Sequence, residues 1–250
     1  MSTWHYGVVA RWWAEFNHGG PEVEYYRPFV TSGQPALDAG CGAGRLLLPW
    51  LREGLDVDGC DVSPDMLAEC RRLAEAEGLE PALHRQALHD LDLPRRYRTI
   101  VCCGTFGLGS TREQGAQALR RFHDHLEPDG LLALDVEKSG SDLTEVSRSK
   151  PHDPPAERRR GSDGDEYALR GRLLEVDQAE RRVTRAIQAW QWRDGRLVAE
   201  EEHLLTESIY DRDELSTLLE RAGFADVEVR DGASAWDHDM MVFLARRPVV

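Results

Sequence analysis

The 250-residue chain is poor in lysine. Lys138 and Lys150 are its only two, and the other basic residues are arginines. Basic residues of both kinds number 31 against 45 acidic ones, for a formal net charge of −14. Such a deficit repels a phosphate backbone, whose binding rests on a basic stripe, and weighs against a nucleic-acid partner. No apolar run approaches the roughly 18–20 residues of a membrane-spanning helix. No basic-then-apolar stretch opens the chain either, so neither a membrane nor export is expected. The five cysteines, Cys41, Cys60, Cys70, Cys102 and Cys103, are odd in number and show no CxxC spacing. Free thiols in a cytoplasmic protein fit that pattern.

What is present is a repetition of short apolar runs and amphipathic stretches. After an aromatic-rich, helical opening (Met1 to Phe29), strands are expected at Pro35–Asp38, Asp56–Asp61, Pro81–Ala87, Thr99–Cys103 and Leu131–Val136. Helices are expected at Gly44–Arg52, from Ser63 to Gly78 with Pro64 at the first helical position, and at Arg112–Leu126, opened by Thr111 and Gln114. Strand–helix alternation argues for an α/β fold with a parallel sheet. Beyond Glu137 the pattern changes. Ser139–Asp165 reads as a polar loop. Tyr167–Val176, Arg181–Arg193 and Arg196–Tyr210 read as extended segments, the last two joined by the hairpin signal Asp194-Gly195. Asp211 with Glu214 suggests a capping box, Gly223 a helix end, and Phe224–Arg230 and Met241–Arg246 two last strands.

The chemistry concentrates in Asp38-Ala39-Gly40-Cys41-Gly42-Ala43-Gly44, paired with Asp61. Glycines let a backbone turn tightly and let a ligand lie against it. A following helix offers free N–H groups, and an acidic residue about 20 positions on suits ribose hydroxyls. The dinucleotide pattern GxGxxG would need a glycine where Arg45 stands, and the third glycine falls one residue earlier, at Gly44. An Asp two residues before the first glycine is suited to a cationic amino group. No Tyr-x-x-x-Lys pair occurs, which disfavours a short-chain dehydrogenase.

Leu37 to Gly44 resembles the first motif of class I S-adenosylmethionine (SAM)-dependent methyltransferases. Gly59-Cys60-Asp61-Val62-Ser63-Pro64-Asp65-Met66-Leu67 resembles the second, Gly130-Leu131-Leu132-Ala133-Leu134 the strand-five motif, and Glu214-Leu215 to Ala222-Gly223-Phe224 a late helix. The resemblance implies a Rossmann-like, seven-stranded, mainly parallel sheet with its last strand antiparallel and helices on both faces. An antiparallel β cap would be inserted after strand five. The division would be 1–137 and 211–250 for SAM binding, with 138–210 as loop and cap.

By position, Asp38, Gly40, Cys41, Gly42 and Gly44 would hold the methionine end. Asp61 would take the ribose, and Val62 and Met66 the adenine, though Met66 also suits plain helix core. Gly104 would line the sulfonium side. The family's Gly-Asp of strand three is replaced by Gln86-Ala87-Leu88, where backbone groups or the Gln86 side chain would substitute. S-adenosylhomocysteine would be the product.

The acceptor is less legible. No [DNS]-P-P-[YFW] motif follows strand four, no Pro-Cys nucleophile occurs, and Asp135 with Glu137 does not make an oxygen cage, so no metal is expected. For the scattered histidines a solvent or structural role is expected; His18 and His89, near the cofactor-side loops, come nearest to a base, and no catalytic residue is assigned. Tyr6-x-x-x-Ala10-x-x-Trp13 resembles the opening of small-molecule methyltransferases of the amino-sugar and glycine type. Tyr6 and Trp13 would close over the cofactor or pack on the core. Tyr25, Thr105 and Glu137 are candidates for the acceptor side. Trp190 and Trp192 share a face and suit pocket walls, an interface or cap core, with core the first expectation. Methyl transfer to a nitrogen or oxygen of a small molecule, in secondary metabolism, is the first expectation, with a possible homodimer through the cap. A SAM-binding fold turned to cyclase-like chemistry and an NAD-dependent oxidoreductase stay as alternatives.

Overall fold

The structure is a computed structural model that describes residues 3–138, 157–231 and 240–249. Five parallel strands form its centre: β1 (Ala36–Ala39), β2 (Val57–Asp61), β3 (Leu83–Arg85), β4 (Tyr97–Cys102) and β5 (Leu126–Glu137). Two more, β10 (Ala225–Asp231) and β11 (Met240–Arg246), complete a seven-stranded sheet in the order β10-β11-β5-β4-β1-β2-β3. β11 runs antiparallel to both neighbours, so the expected single reversed strand is present. Ile100, Val101 and Cys102 of β4 are wholly buried. A strand covered on both faces reads as one continuous apolar run, as this one does.

Helices cover both faces. α2 (Pro21–Ser32), α3 (Leu47–Arg52) and α4 (Pro64–Ala76) pack Tyr26, Trp50, Leu47 and Leu67 on one side. α5 (Arg112–His125) and α6 (Arg212–Arg221) pack Leu119, Phe122, Leu215 and Leu219 on the other. Thr111 and Gln114 close a full capping box at the start of α5. At α6 only half of the expected box forms. Asp211 accepts from the Glu214 N–H, while the Glu214 carboxylate is drawn away to Arg112.

A second sheet of antiparallel strands, in the order β6-β7-β8-β9, falls between β5 and α6 in the chain: β6 (Arg159–Arg160), β7 (Glu166–Asp177), β8 (Arg182–Arg193) and β9 (Arg196–Ser208). Asp194 and Gly195 both take positive φ at the β8–β9 hairpin, as a tight primed turn requires. Helix α1 (Gly7–Phe16) lies on this sheet, with Val8 and Val9 against Tyr167, Ile187 and Ala189. The inner face is therefore Ile187, Ala189 and Gln191. Trp190 and Trp192 are turned to the other face, half-buried beneath Arg170 and Arg158. That corrects their reading as cap core. The residue parity was right, but the small Ala189, not the tryptophans, meets α1.

Other boundaries move for local reasons. The helix expected from Gly44 starts at Leu47, because Gly44 has φ +90°. The stretch Pro128-Asp129-Gly130, between the expected helix and the expected fifth strand, is an irregularity inside β5, between the pairs Tyr97–Leu126 and Thr99–Leu131. The aromatic opening is two helices broken at Asn17-His18-Gly19-Gly20. Of the expected polar loop, residues 139–156 lie outside the described residues.

Candidate functional site

A cavity of about 620 Å³ opens at the C-terminal ends of β1, β2, β4 and β5. β1 and β4 are neighbours, and the chain crosses from β1 to β2 and β3 on one side and to β4 and β5 on the other. Such a switch point is where open α/β sheets bind ligands, and the volume is that of a small-molecule site.

The turn after β1 supplies Asp38, Gly40, Cys41 and Gly42 to the wall. Gly40 and Gly42 have φ of +87° and +54°. A Cβ on Gly42 would come within 2.9 Å of the Met66 methyl, and one on Gly40 would strike Thr105. The backbone is therefore bare where a ligand would lie. The carboxylate of Asp61 accepts the Gly42 N–H on Oδ2 (3.0 Å) and the Ser63 N–H on Oδ1 (2.8 Å). It is thus fixed at the rim of β2 beside the lining residues Val62 and Met66. Burial raises its pKa, with those backbone donors pulling the other way.

Asp38 is 2% exposed, and its Oδ2 has no hydrogen-bond partner among the described residues. Burial, opposed by Arg45 and assisted by Asp61, pushes its pKa up to about 7. Past β4, Gly104 and Thr105 line the cavity. The Gly104 N–H donates to Asp135 Oδ1 (2.6 Å), and the Tyr26 hydroxyl donates to Asp135 Oδ2 (2.7 Å).

The N-terminal residues make the remaining wall: 3–5, 13 and 16–22. His5 is held between Thr3 Oγ1 (2.9 Å, on Nδ1) and the Trp4 indole N–H (3.2 Å, on Nε2). Its backbone carbonyl takes the Ser63 hydroxyl, which ties this segment to the start of α4. Burial lowers the His5 pKa to about 4, so the ring is neutral. Gly7 N–H reaches Asp65 (2.8 Å) and Val8 N–H reaches Glu201 (3.0 Å), so carboxylates from α4 and β9 serve the free donors at the start of α1.

Of the expected site residues, Asp38, Gly40, Cys41, Gly42, Asp61, Val62, Met66, Gln86, Leu88, Gly104, Thr105 and Trp13 line this cavity. Five do not. Gly44 is a packing glycine, since a Cβ there would lie 2.7 Å from Leu48 and 2.8 Å from Cys70. Ala87 opens a short 3-10 turn (Leu88–Asp90) and does not reach the wall. Tyr6 turns outward, 36% exposed, against His203. Tyr25 stands on Tyr26 and Phe29 within the α2 core. Glu137 is exposed beyond the rim and faces Arg185 at 3.9 Å.

Gln86 lines the cavity, but its amide is occupied by the Asp92 backbone in both directions (2.7 and 3.0 Å), so the side chain does not replace the missing acid. His18 lies exposed at the mouth, while His89 is buried against Gln114 and off the wall. Among the described residues no group of metal ligands occurs.

Sequence reasoning missed Arg45, Glu22 and Asp135. Arg45 follows the glycine turn and meets Glu22 (2.9 Å), the Cys103 sulfur (3.4 Å) and the Gly19 carbonyl (3.5 Å). Its place where a dinucleotide site has glycine was the one available signal.

Residues 36–130 match a family described as a methyltransferase domain. The dTDP-3-amino-3,4,6-trideoxy-alpha-D-glucopyranose N,N-dimethyltransferase of Streptomyces venezuelae is 33% identical over 115 residues, which cover 45% of this chain and 46% of that protein. The chain thus spans about half the length of the curated relatives it matches. Crystal structures share the fold over more of the chain. Streptomyces venezuelae DesVI has a TM-score of 0.69 at 21% identity, with 91% of this chain and 89% of that one covered. The SAM-bound amino pentose methyltransferase CalS10 of Micromonospora echinaspora has 0.63 at 20%, with 90% and 88% covered. Residues 36–130 therefore match the methyltransferase-domain family, and the chain as a whole shares the fold of these crystal structures.

Proposed function

We propose that this protein transfers a methyl group from SAM to the nitrogen of a small molecule, an amino sugar or similar amine of secondary metabolism. The observation that carries the reading is the buried Asp38 carboxylate, whose Oδ2 has no hydrogen-bond partner among the described residues, beneath a bare glycine turn that shares one cavity with Asp61. A ligand with an ammonium group, a ribose and an apolar ring fits that set. Asp38 would pair with the amino group, Asp61 would accept from the ribose hydroxyls, and Val62, Met66 and Leu88 would flank the adenine. When bound, SAM supplies an electrophilic methyl group on sulfur. The chain's own task is to align a neutral amine with that methyl and to keep water out. Trp4, Trp13 and Phe16 wall the cavity against solvent, and the β6–β9 sheet would cover the acceptor side. The N,N-dimethyltransferase activity for which the Streptomyces venezuelae relative is named supports nitrogen over oxygen as acceptor.

Calorimetry with SAM, S-adenosylhomocysteine and NAD tests the cofactor. Tritiated SAM offered to amino sugars, their dTDP forms, glycine-type amines and phenols tests the reaction. Tight NAD binding without SAM binding overturns the reading, as does SAM binding with no label passed to any acceptor. A cytoplasmic setting is supported by five free cysteines. No helix among the described residues is long and apolar enough to cross a membrane. A homodimer through the cap is supported by exposed Leu174, Leu197, Val198 and Leu204 on its strands. Light scattering that shows a monomer at micromolar concentration would remove it.

A further inference from the structure

Two carboxylates face the cavity from inside the sheet with no cation bonded to either among the described residues. Asp38 is 2% exposed at the end of β1, and Asp135 is 1% exposed at the end of β5. Asp135 is held by neutral donors only: the Tyr26 hydroxyl from α2, the Gly104 N–H past β4 and the Cys103 thiol. Among the described residues, Arg45 is the single arginine or lysine lining the cavity. It exerts a pull on both carboxylates, but its bonds go to Glu22, Cys103 and Gly19. A buried carboxylate without a counter-ion is costly, and one that faces a cavity gains most from a cationic occupant. A single SAM carries one ammonium group, which Asp38 takes in the reading above. Asp135 is left over, bonded to the Gly104 N–H.

We propose that Asp135 binds the acceptor nitrogen and stabilises the positive charge that arrives there, with Tyr26 as its positioning residue, so that the acceptor is an amine. This rests on the methyl-transfer reading. In the step, the amine lone pair forms the N–C bond while the C–S bond breaks with its electron pair going to sulfur. One positive charge leaves sulfur and appears on nitrogen, and the new ammonium later loses a proton to solvent. A carboxylate fixed at the nitrogen, not at the sulfur, interacts more strongly with the transition state than with the ground state. Burial raises the pKa of Asp135, and the Gly104 N–H, the Tyr26 hydroxyl, the Cys103 thiol and Arg45 hold it down. Loss of the Tyr26 bond therefore moves it further up.

The test uses Asp135→Asn and Tyr26→Phe in the full chain, with dTDP-3-amino-3,4,6-trideoxyglucose and its 3-hydroxy twin as acceptor probes. The wild type is expected to methylate the amine and not the hydroxyl. Asp135→Asn is expected to lower kcat/KM for the amine about 100-fold, with calorimetric affinities for SAM and S-adenosylhomocysteine unchanged, which also shows that the variant is folded. Tyr26→Phe is expected to keep most of kcat at high pH and to move the acid limb of the kcat/KM profile to higher pH. A purely structural tyrosine would not do this. An unchanged kcat/KM in Asp135→Asn overturns the proposal. So does a loss of SAM affinity without a loss for S-adenosylhomocysteine, which would assign Asp135 to the sulfonium, or preference for the hydroxyl twin. A wild type that binds SAM and labels none of the wider acceptor set overturns the methyl-transfer reading itself.

Discussion

Asp38 couples binding to protons. Its pKa in the fold, about 7, is above the ordinary carboxylate value near 4. A raised pKa means that its contribution to stability is complete below the unfolded value and is lost as pH rises through about 7. Asp38→Asn is therefore expected to raise the melting temperature of the ligand-free protein by roughly 3 °C or more near pH 8, and not near pH 4. A ligand ammonium favours the ionised form, so binding near pH 6 should release about one proton, read as a buffer-dependent heat in calorimetry. Asp61 behaves differently, because backbone donors already hold both of its oxygens in place. Asp61→Ala is expected to weaken SAM binding by about 2 kcal/mol, the scale of hydrogen bonds to a charged group, with little change in melting temperature. Unchanged affinity would remove its ribose role. Both aspartates were legible in the sequence because a turn of glycines fixes what stands beside it. Asp135 was not, since its meaning depends on Tyr26, which is 109 residues away in the chain.

At the scale of elements, the join between β1 and α3 is set by packing as much as by binding. Gly44 touches no part of the cavity wall, yet its φ of +90° and the closeness of Leu48 and Cys70 leave no place for a side chain. Gly44→Ala is expected to cost about 2 kcal/mol or more in chemical denaturation, while folded molecules keep their SAM affinity. A loss of affinity larger than the loss of stability would return Gly44 to the ligand. Strand and helix identities followed from apolar period and cap residues. Boundaries did not, because they turn on positive φ values and on distant partners. Glu214 shows this: its sequence position offered a capping box, and Arg112, 102 residues earlier, took the carboxylate.

At the scale of the molecule, α1 joins the two sheets. It lies on β7–β9 through Val8 and Val9, is held at its start by Asp65 of α4 and Glu201 of β9, and offers Trp13 and Phe16 to the cavity. The loop after β4 adds a second tie, with the Gly109 N–H on the Thr206 carbonyl and the Ser208 N–H on the Gly107 carbonyl. A ligand in the cavity should therefore stabilise both sheets together. S-adenosylhomocysteine at 100 times its Kd is expected to add about 2.7 kcal/mol, with slowed hydrogen exchange in α1 and β9 as well as around β1. Protection confined to β1 and β2 would separate the cap from the site. The cap's existence was readable from three extended runs and a hairpin turn, but the seating of α1 upon it was not, because no local pattern states which sheet an apolar stripe will cover.

The pair of buried carboxylates also defines an inhibitor. Asp38 and Asp135 stand at the ends of β1 and β5, with β4 between them. A molecule with two amines, one for each carboxylate, and an uncharged adenosine-like body would carry the charge pattern of both reactants at once. On the proposed reading it would bind as one ligand in the place of two. Its affinity would fall in two separate steps when Asp38 and Asp135 are neutralised in turn.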